Sequence, residues 1–184
     1  PHTEKFKDDD WTKISLPHDW GMGLDYSREQ FKVKGYRKLG GRSPENSVGW
    51  YRQRFNPELV KGCRYTLEFE GIFRDAQVWM NGIYLGRGES GYVPLVFDVT
   101  ECLNYEPEAE NVISVRVDAT HSELWSYEGA GIYRNVWLTR TAPVHITQWG
   151  TFVTSEVAPD GGKARVKAQV EVTNQSETSS DVIL

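Results

Sequence analysis

Between Glu123 and Arg134 the chain reads Glu-Leu-Trp-Ser-Tyr-Glu-Gly-Ala-Gly-Ile-Tyr-Arg, which sets carboxylates, large aromatics, glycines and an arginine close together. Trp125 and Tyr127 offer broad apolar faces with a polar edge. Glu123 and Glu128 offer acceptors for hydroxyl groups, and the combination suits a sugar ring. The same aromatics suit a second role, plugging the end of a β-sandwich core, because most large aromatic side chains lie in or near cores. Residues 123–131 have no period, and Gly129 and Gly131 fit backbone turns or a close approach of chain to chain, so this half reads as a shaped loop. From residue 132 to 138 apolar and polar positions alternate, with Ile132, Val136 and Leu138 on one side, so the loop is expected to enter a strand there. Loops held by a rigid sheet are where binding residues collect.

Other residues with chemical potential carry less. His18-Asp19 resembles a catalytic dyad in type only, since adjacent side chains diverge and no Ser or Cys nucleophile motif accompanies them. Asp8-Asp-Asp10 is expected to be a solvated charge cluster rather than a metal site, because no further ligands follow at suitable spacing. Cys63 and Cys102 are too few for a disulfide framework and are not spaced as metal ligands. No metal site, cofactor or catalytic group is expected from these patterns.

The elements that must position the loop are strands. In Arg64-Tyr-Thr-Leu-Glu-Phe-Glu70, Tyr65, Leu67 and Phe69 face one way and the polar residues the other. Ala76-Gln-Val-Trp-Met80 and Ile83-Tyr-Leu85 flank Asn81-Gly82, a pair suited to the positive φ angles of a type I′ hairpin turn. Leu95, Phe97 and Val99 alternate with Val96 and Asp98, and Ile113, Val115 and Val117 with Ser114, Arg116 and Asp118. Trp11 to Trp20 contains a short strand-like piece ended by Pro17, and residues 21–49 read as a long surface excursion. The pattern predicts an all-β, antiparallel jelly-roll sandwich over residues 1–143. Residues 144–184 read as a strand, a turn at Ala158-Pro-Asp-Gly-Gly162, a strand with alternating Val166, Ala168, Val170 and Val172, and, after a polar loop from Asn174 to Ser180, the start of a third strand. They are expected to open an immunoglobulin-like sandwich.

Composition limits the function classes. The chain has 184 residues, 39% of them hydrophobic, with a formal net charge of -5. Mean hydropathy is -0.56, and no apolar run reaches the length of a membrane span. A nucleic-acid partner is not expected, because no basic stripe is present to meet phosphates. The start at Pro1 and the apolar finish at Val182-Ile-Leu184 read as cut ends, so the chain is expected to be a fragment. On that reading a missing signal peptide says nothing, although a periplasmic or extracellular location is favoured.

Several short pieces, taken in order, carry a resemblance. Leu16-Pro-His-Asp-Trp20, Gly49-Trp-Tyr-Arg52, Leu67-Glu-Phe-Glu-Gly71, Val78-Trp-Met-Asn-Gly82, Gly91-Tyr92, Phe97-Asp-Val-Thr100, Asn111-Val-Ile-Ser-Val-Arg-Val117 and Gly129-Ala-Gly-Ile-Tyr-Arg134 resemble the N-terminal part of glycoside hydrolase family 2 enzymes. The group contains β-galactosidases, β-glucuronidases and β-mannosidases. The resemblance implies a galactose-binding-domain-like jelly roll, an immunoglobulin-like domain and, beyond this chain, a TIM barrel. In such enzymes two barrel carboxylates perform retaining hydrolysis, so none of the acids here is expected to be catalytic. An acidic residue before the Gly-Ile-aromatic-Arg piece reaches the terminal sugar in some members, and its counterpart here is Glu123 or Glu128. Arg134 is expected to pair with a carboxylate such as Asp75. The partners implied are the terminal sugar of a β-glycoside and the barrel of the same chain; a homo-oligomer of the full-length enzyme is left open.

Three functions compete at this stage. The chain is an accessory substrate-positioning region of a β-galactosidase-like enzyme, an independent carbohydrate-binding module, or a domain that only sets packing and subunit contacts.

Overall fold

The computed structural model of the protein describes residues 1–28, 37–121 and 127–183. They form two compact units, Pro1–Lys61 with Tyr65–Thr139, and Gly62–Arg64 with Arg140–Leu184. Among the described residues the regular structure is strand, interrupted by short 3-10 turns at Trp20–Gly23, Pro44–Asn46 and Thr100–Cys102.

The first unit is a jelly-roll sandwich. Strands β1 (Val48–Phe55), β6 (Asn111–Asp118), β3 (Ala76–Met80) and β4 (Ile83–Gly88) lie side by side in that order, and β5 (Leu95–Asp98), β2 (Arg64–Phe69) and β7 (Val136–Thr141) make the second sheet. Alternation decides which side chains are buried. Tyr65, Leu67 and Phe69 of β2 are buried, as are Ala76, Val78 and Met80 of β3 and Val115 and Val117 of β6. The sheets meet closely where β4 faces β5: a side chain at Gly86 would lie 3.0 Å from Phe97, and one at Gly88 would strike Leu95.

The turn at Asn81-Gly82 has positive φ at both residues, +50° and +78°, as the type I′ expectation requires. Asn81 does more than turn. Its side-chain nitrogen donates to the Cys102 carbonyl and to Asn111 Oδ1, both at 2.8 Å, and its oxygen accepts from Val112 N at 2.7 Å.

The N-terminal residues lie on the outer face of the four-stranded sheet. Arg52 donates from Nε to Asp8 Oδ2 at 2.8 Å and from a terminal nitrogen to Ser114 Oγ at 2.8 Å and to the Pro1 carbonyl. His2 stacks on Trp79 with ring centres 5.5 Å apart, and Trp79 stacks on Trp50 at 5.4 Å. Asp8 is therefore not the solvated charge expected from its neighbours. Its partner Arg52 has a side chain 1% exposed, and this guanidinium holds the Asp8 carboxyl below its usual range. The same cover explains why Ser114, on the outward side of β6, is fully buried.

Two stretches depart from expectation. No regular strand forms in residues 11–20. Its last residues instead lie along another segment, with His18 N donating to the Ile132 carbonyl and Trp20 N to the Ala130 carbonyl. Strand β7 begins at Val136 rather than at Ile132, because the backbone from Ala130 to Ile132 is already committed to that segment and to Phe73. Cys63 and Cys102 are free thiols.

The second unit is built on one hairpin, β8 (Val144–Val157) with β9 (Ala164–Asn174), running from the Val144 and Asn174 pair to the Val157 and Ala164 pair, and the expected third strand does not form in residues 175–183. The register shifts between Ile146 and Thr151. Trp149 and Phe152 are 70% and 66% exposed.

Candidate functional site

The C-terminal arm of the candidate loop is fixed by backbone bonds on both edges. Gly131 exchanges two bonds with Phe73, N to O at 2.7 Å and O to N at 2.8 Å, while Ala130 and Ile132 receive the amides of Trp20 and His18 at 3.0 and 2.7 Å. Gly131 sits at φ +127°, where a side chain would collide with the Tyr51 hydroxyl and lie 2.7 Å from the His18 carbonyl. This position needs glycine for its angle and for the approach of two other segments. Tyr51, on the inward face of β1, meets His18 Nδ1 at 2.9 Å through its hydroxyl. Burial holds that phenol above its usual pKa.

Asp19 is the centre of the arrangement. Its Oδ1 accepts from Gly21 N at 2.8 Å and from Ala130 N at 2.9 Å, and its Oδ2 accepts from the Tyr127 hydroxyl at 2.8 Å. The bond to Gly21 N is local and caps the turn at Trp20–Gly23. The other two span the sequence to the loop arm. Room for the carboxylate comes from Gly129, where a side chain would sit 2.8 Å from Asp19 Oδ2. The Tyr127 phenol is held above its usual pKa first by burial and then by its bond to the Asp19 carboxylate, which favours the protonated form.

The next residue is held by a third segment. Tyr92, between β4 and β5, directs its hydroxyl at Glu128 Oε1, 3.3 Å away, and rests its ring edge-on against Phe73 at 5.8 Å. The Tyr133 hydroxyl donates to the Gly91 carbonyl at 2.7 Å, so residues 91–92 are tied to the loop exit as well. Tyr92 is 51% exposed. The outcome is a half-buried Tyr127, a half-buried Glu128 and an exposed Tyr92 brought together from segments far apart in sequence.

Of the four residues singled out in the sequence, Tyr127 and Glu128 are adjacent at this corner, with the Tyr127 hydroxyl directed at Asp19 rather than outward. Glu123 and Trp125 lie outside the described residues. Arg134 does not join Asp75: that carboxylate takes a two-point ion pair from Arg87, with Arg87 Nη2 2.9 Å from Oδ2. The exposed Arg134 lies 5.8 Å from the Tyr133 ring centre.

Sequence reasoning missed Asp19 and Tyr92. As a chemical group Asp19 pairs in the sequence with its neighbour His18, whereas in the structure the two side chains go to different partners, Tyr127 and Tyr51. The available signal was the pair Gly129 and Gly131, which marks a close approach without saying what approaches. Among the described residues no group of three His, Cys, Asp or Glu side chains is arranged to hold a metal ion. Among the same residues no helix is long and apolar enough to cross a membrane.

Residues 42–151 match the family model described as glycosyl hydrolase 2 galactose-binding domain-like. The chain is 37% identical over 180 residues to the β-galactosidase BoGH2A of Bacteroides ovatus, a match covering 96% of this chain and 20% of that protein. It is 28% identical over 201 residues to a β-glucuronidase of Formosa agariphila, covering 97% of this chain and 20% of that protein. A solved glycosyl hydrolase family 2 member from Bacteroides cellulosilyticus shares the fold with a TM-score of 0.80 at 30% identity, over 97% of this chain and 23% of that one. The chain thus spans about a fifth of the length of the curated relatives it matches.

Proposed function

The chain belongs to glycosyl hydrolase family 2, and from that premise we propose that it is the N-terminal, non-catalytic region of a retaining β-glycosidase, a β-galactosidase, that helps position the terminal sugar. The observation that carries this reading is the alignment of nearly the whole chain with a protein named β-galactosidase at 37% identity. Hydrolysis in the full-length protein is assigned to two carboxylates outside this chain, one acting as acid/base and one as nucleophile. The described site is in keeping with a supporting role, since every oxygen of Asp19 is engaged in holding backbone and phenol.

The loop acids Glu123 and Glu128 accept hydroxyl groups of the sugar, with Trp125 and the ring of Tyr127 providing apolar surface beside them. Such contacts hold the terminal sugar in the bound complex, so their loss is read first in KM. Residues 1–143 are the jelly-roll part of this arrangement, and 144–184 open an immunoglobulin-like sandwich. The exposed Trp149 and Phe152 on the β8–β9 hairpin support the latter, because further strands of such a domain would cover them. A β-glucuronidase is the second reading, supported by the relative of that name from Formosa agariphila.

The test is hydrolysis of nitrophenyl glycosides. The chain alone should release no nitrophenol, and the full-length enzyme should turn over the β-galactoside. Turnover by the isolated chain would end the non-catalytic reading, and preference of the full-length enzyme for the β-glucuronide would replace the first substrate by the second.

A further inference from the structure

We infer that Asp19 is a positioning residue for the sugar-facing loop, its carboxylate fixing the loop's C-terminal arm at Tyr127 and Ala130. The sandwich does not require this bond to Tyr127. Ala130 packs with Leu39 and Ala119 in a buried cluster bordered by Trp20, and backbone bonds on both edges already hold residues 130–132. The Asp19 to Tyr127 bond lies upstream of that framework and extends its hold to Tyr127, next to Glu128. Charge strengthens it, because a carboxylate accepting from a phenol makes a shorter and stronger bond than a neutral acceptor does. Gly21 and Gly129, which lack side chains, leave space on either side of the carboxylate. A protein that needed only a closed sandwich would fill such space with apolar groups, since a carboxylate taken partly out of water must be fully bonded to be tolerated.

This inference rests on the reading of the loop as sugar-facing, and the experiment separates the two. In the full-length enzyme, kcat, KM and melting temperature are measured on nitrophenyl β-galactoside for Asp19→Ala, Asp19→Asn, Tyr127→Phe and the double variant Glu123→Ala with Glu128→Ala. Loss of positioning alone raises KM with little change in kcat. Tyr127→Phe should raise KM about fivefold and Asp19→Ala about tenfold or more, a range set by misplacement of a binding group. Asp19→Asn should recover part of the loss, because its amide oxygen still accepts from Gly21 and Ala130. If the double loop variant raises KM while Tyr127→Phe and Asp19→Asn leave it at the parent value, Asp19 is structural only and the inference fails with the loop reading intact. If no variant moves KM, both fail. Should Asp19→Ala not fold, Tyr127→Phe decides, since it keeps the ring and removes only the bond.

Discussion

At Asp8 and Asp19 two carboxylates near the start of the chain do work that neither residue's type announces. Asp8 meets Arg52, a guanidinium almost wholly removed from water, and its pKa is lowered chiefly by that bond. A lowered carboxylate pKa stabilises the fold above the unfolded value of about 3.9, and the contribution disappears as pH falls through the folded value. Asp8→Asn should therefore lower stability at pH 7 by about 2 to 3 kcal/mol, the scale of a charge-assisted bond whose partner stays buried. Urea melts across the acid range should show the gap between variant and parent closing as pH falls below 4; a gap independent of pH would mean that Asp8 contributes through packing. Legibility at this scale was uneven. Glu128 and Tyr127 are picked out by type, and the structure bonds them to Tyr92 and Asp19. Asp8 was read as solvated because its neighbours are Asp9 and Asp10, when its surroundings are set by a strand more than forty positions away. Tyr92 and Asp19 stand in motifs that carry the resemblance, but their role at the loop is not legible for the same reason: one bond partner in each case is distant in sequence.

Among the elements, strands whose inward positions alternate cleanly are readable even where the outer face is covered as well, as in β6, and β1 is not. Strand β2 alternates cleanly because one side meets the core and the other does not. Strand β1, Val-Gly-Trp-Tyr-Arg-Gln-Arg-Phe, was not recognised as a strand. Tyr51 faces inward while Trp50 stacks on Trp79 and Arg52 is covered by Asp8 and Pro1, so both faces carry large half-buried side chains and the period is lost. The β3–β4 turn was legible from Asn-Gly alone, yet the turn is the smaller part of what Asn81 does. Its side chain also satisfies Asn111, a fully buried amide, and a backbone carbonyl. Asn81→Gly keeps the turn conformation and removes these bonds, and should cost about 2 kcal/mol or more through the buried groups left unpaired. Asn81→Asp keeps the turn and one acceptor but loses both donations, so it should be comparably damaging. A chemical melt giving either variant the parent's midpoint would show that the side-chain bonds contribute nothing.

The whole molecule is an all-β chain of glycosyl hydrolase family 2 in which backbone ladders, an aspartate and a tyrosine converge on the exit of one loop. Fold and family were legible together, because short alternating strands and scattered motifs such as Leu16-Pro-His-Asp-Trp20 and Gly129-Ala-Gly-Ile-Tyr-Arg134 recur in a fixed order. That these two motifs touch each other was not legible, since order along a chain does not state which segments meet. Their contact holds Tyr127 and Glu128 in place, and the central proposal is that the loop they end meets a sugar. The most direct test is the KM of the full-length enzyme for a β-galactoside after Glu123→Ala and Glu128→Ala together. The account predicts a rise of about tenfold or more with kcat changed far less, the pattern of lost substrate binding. An unchanged KM in a folded, active double variant would contradict it and leave this loop as framework alone.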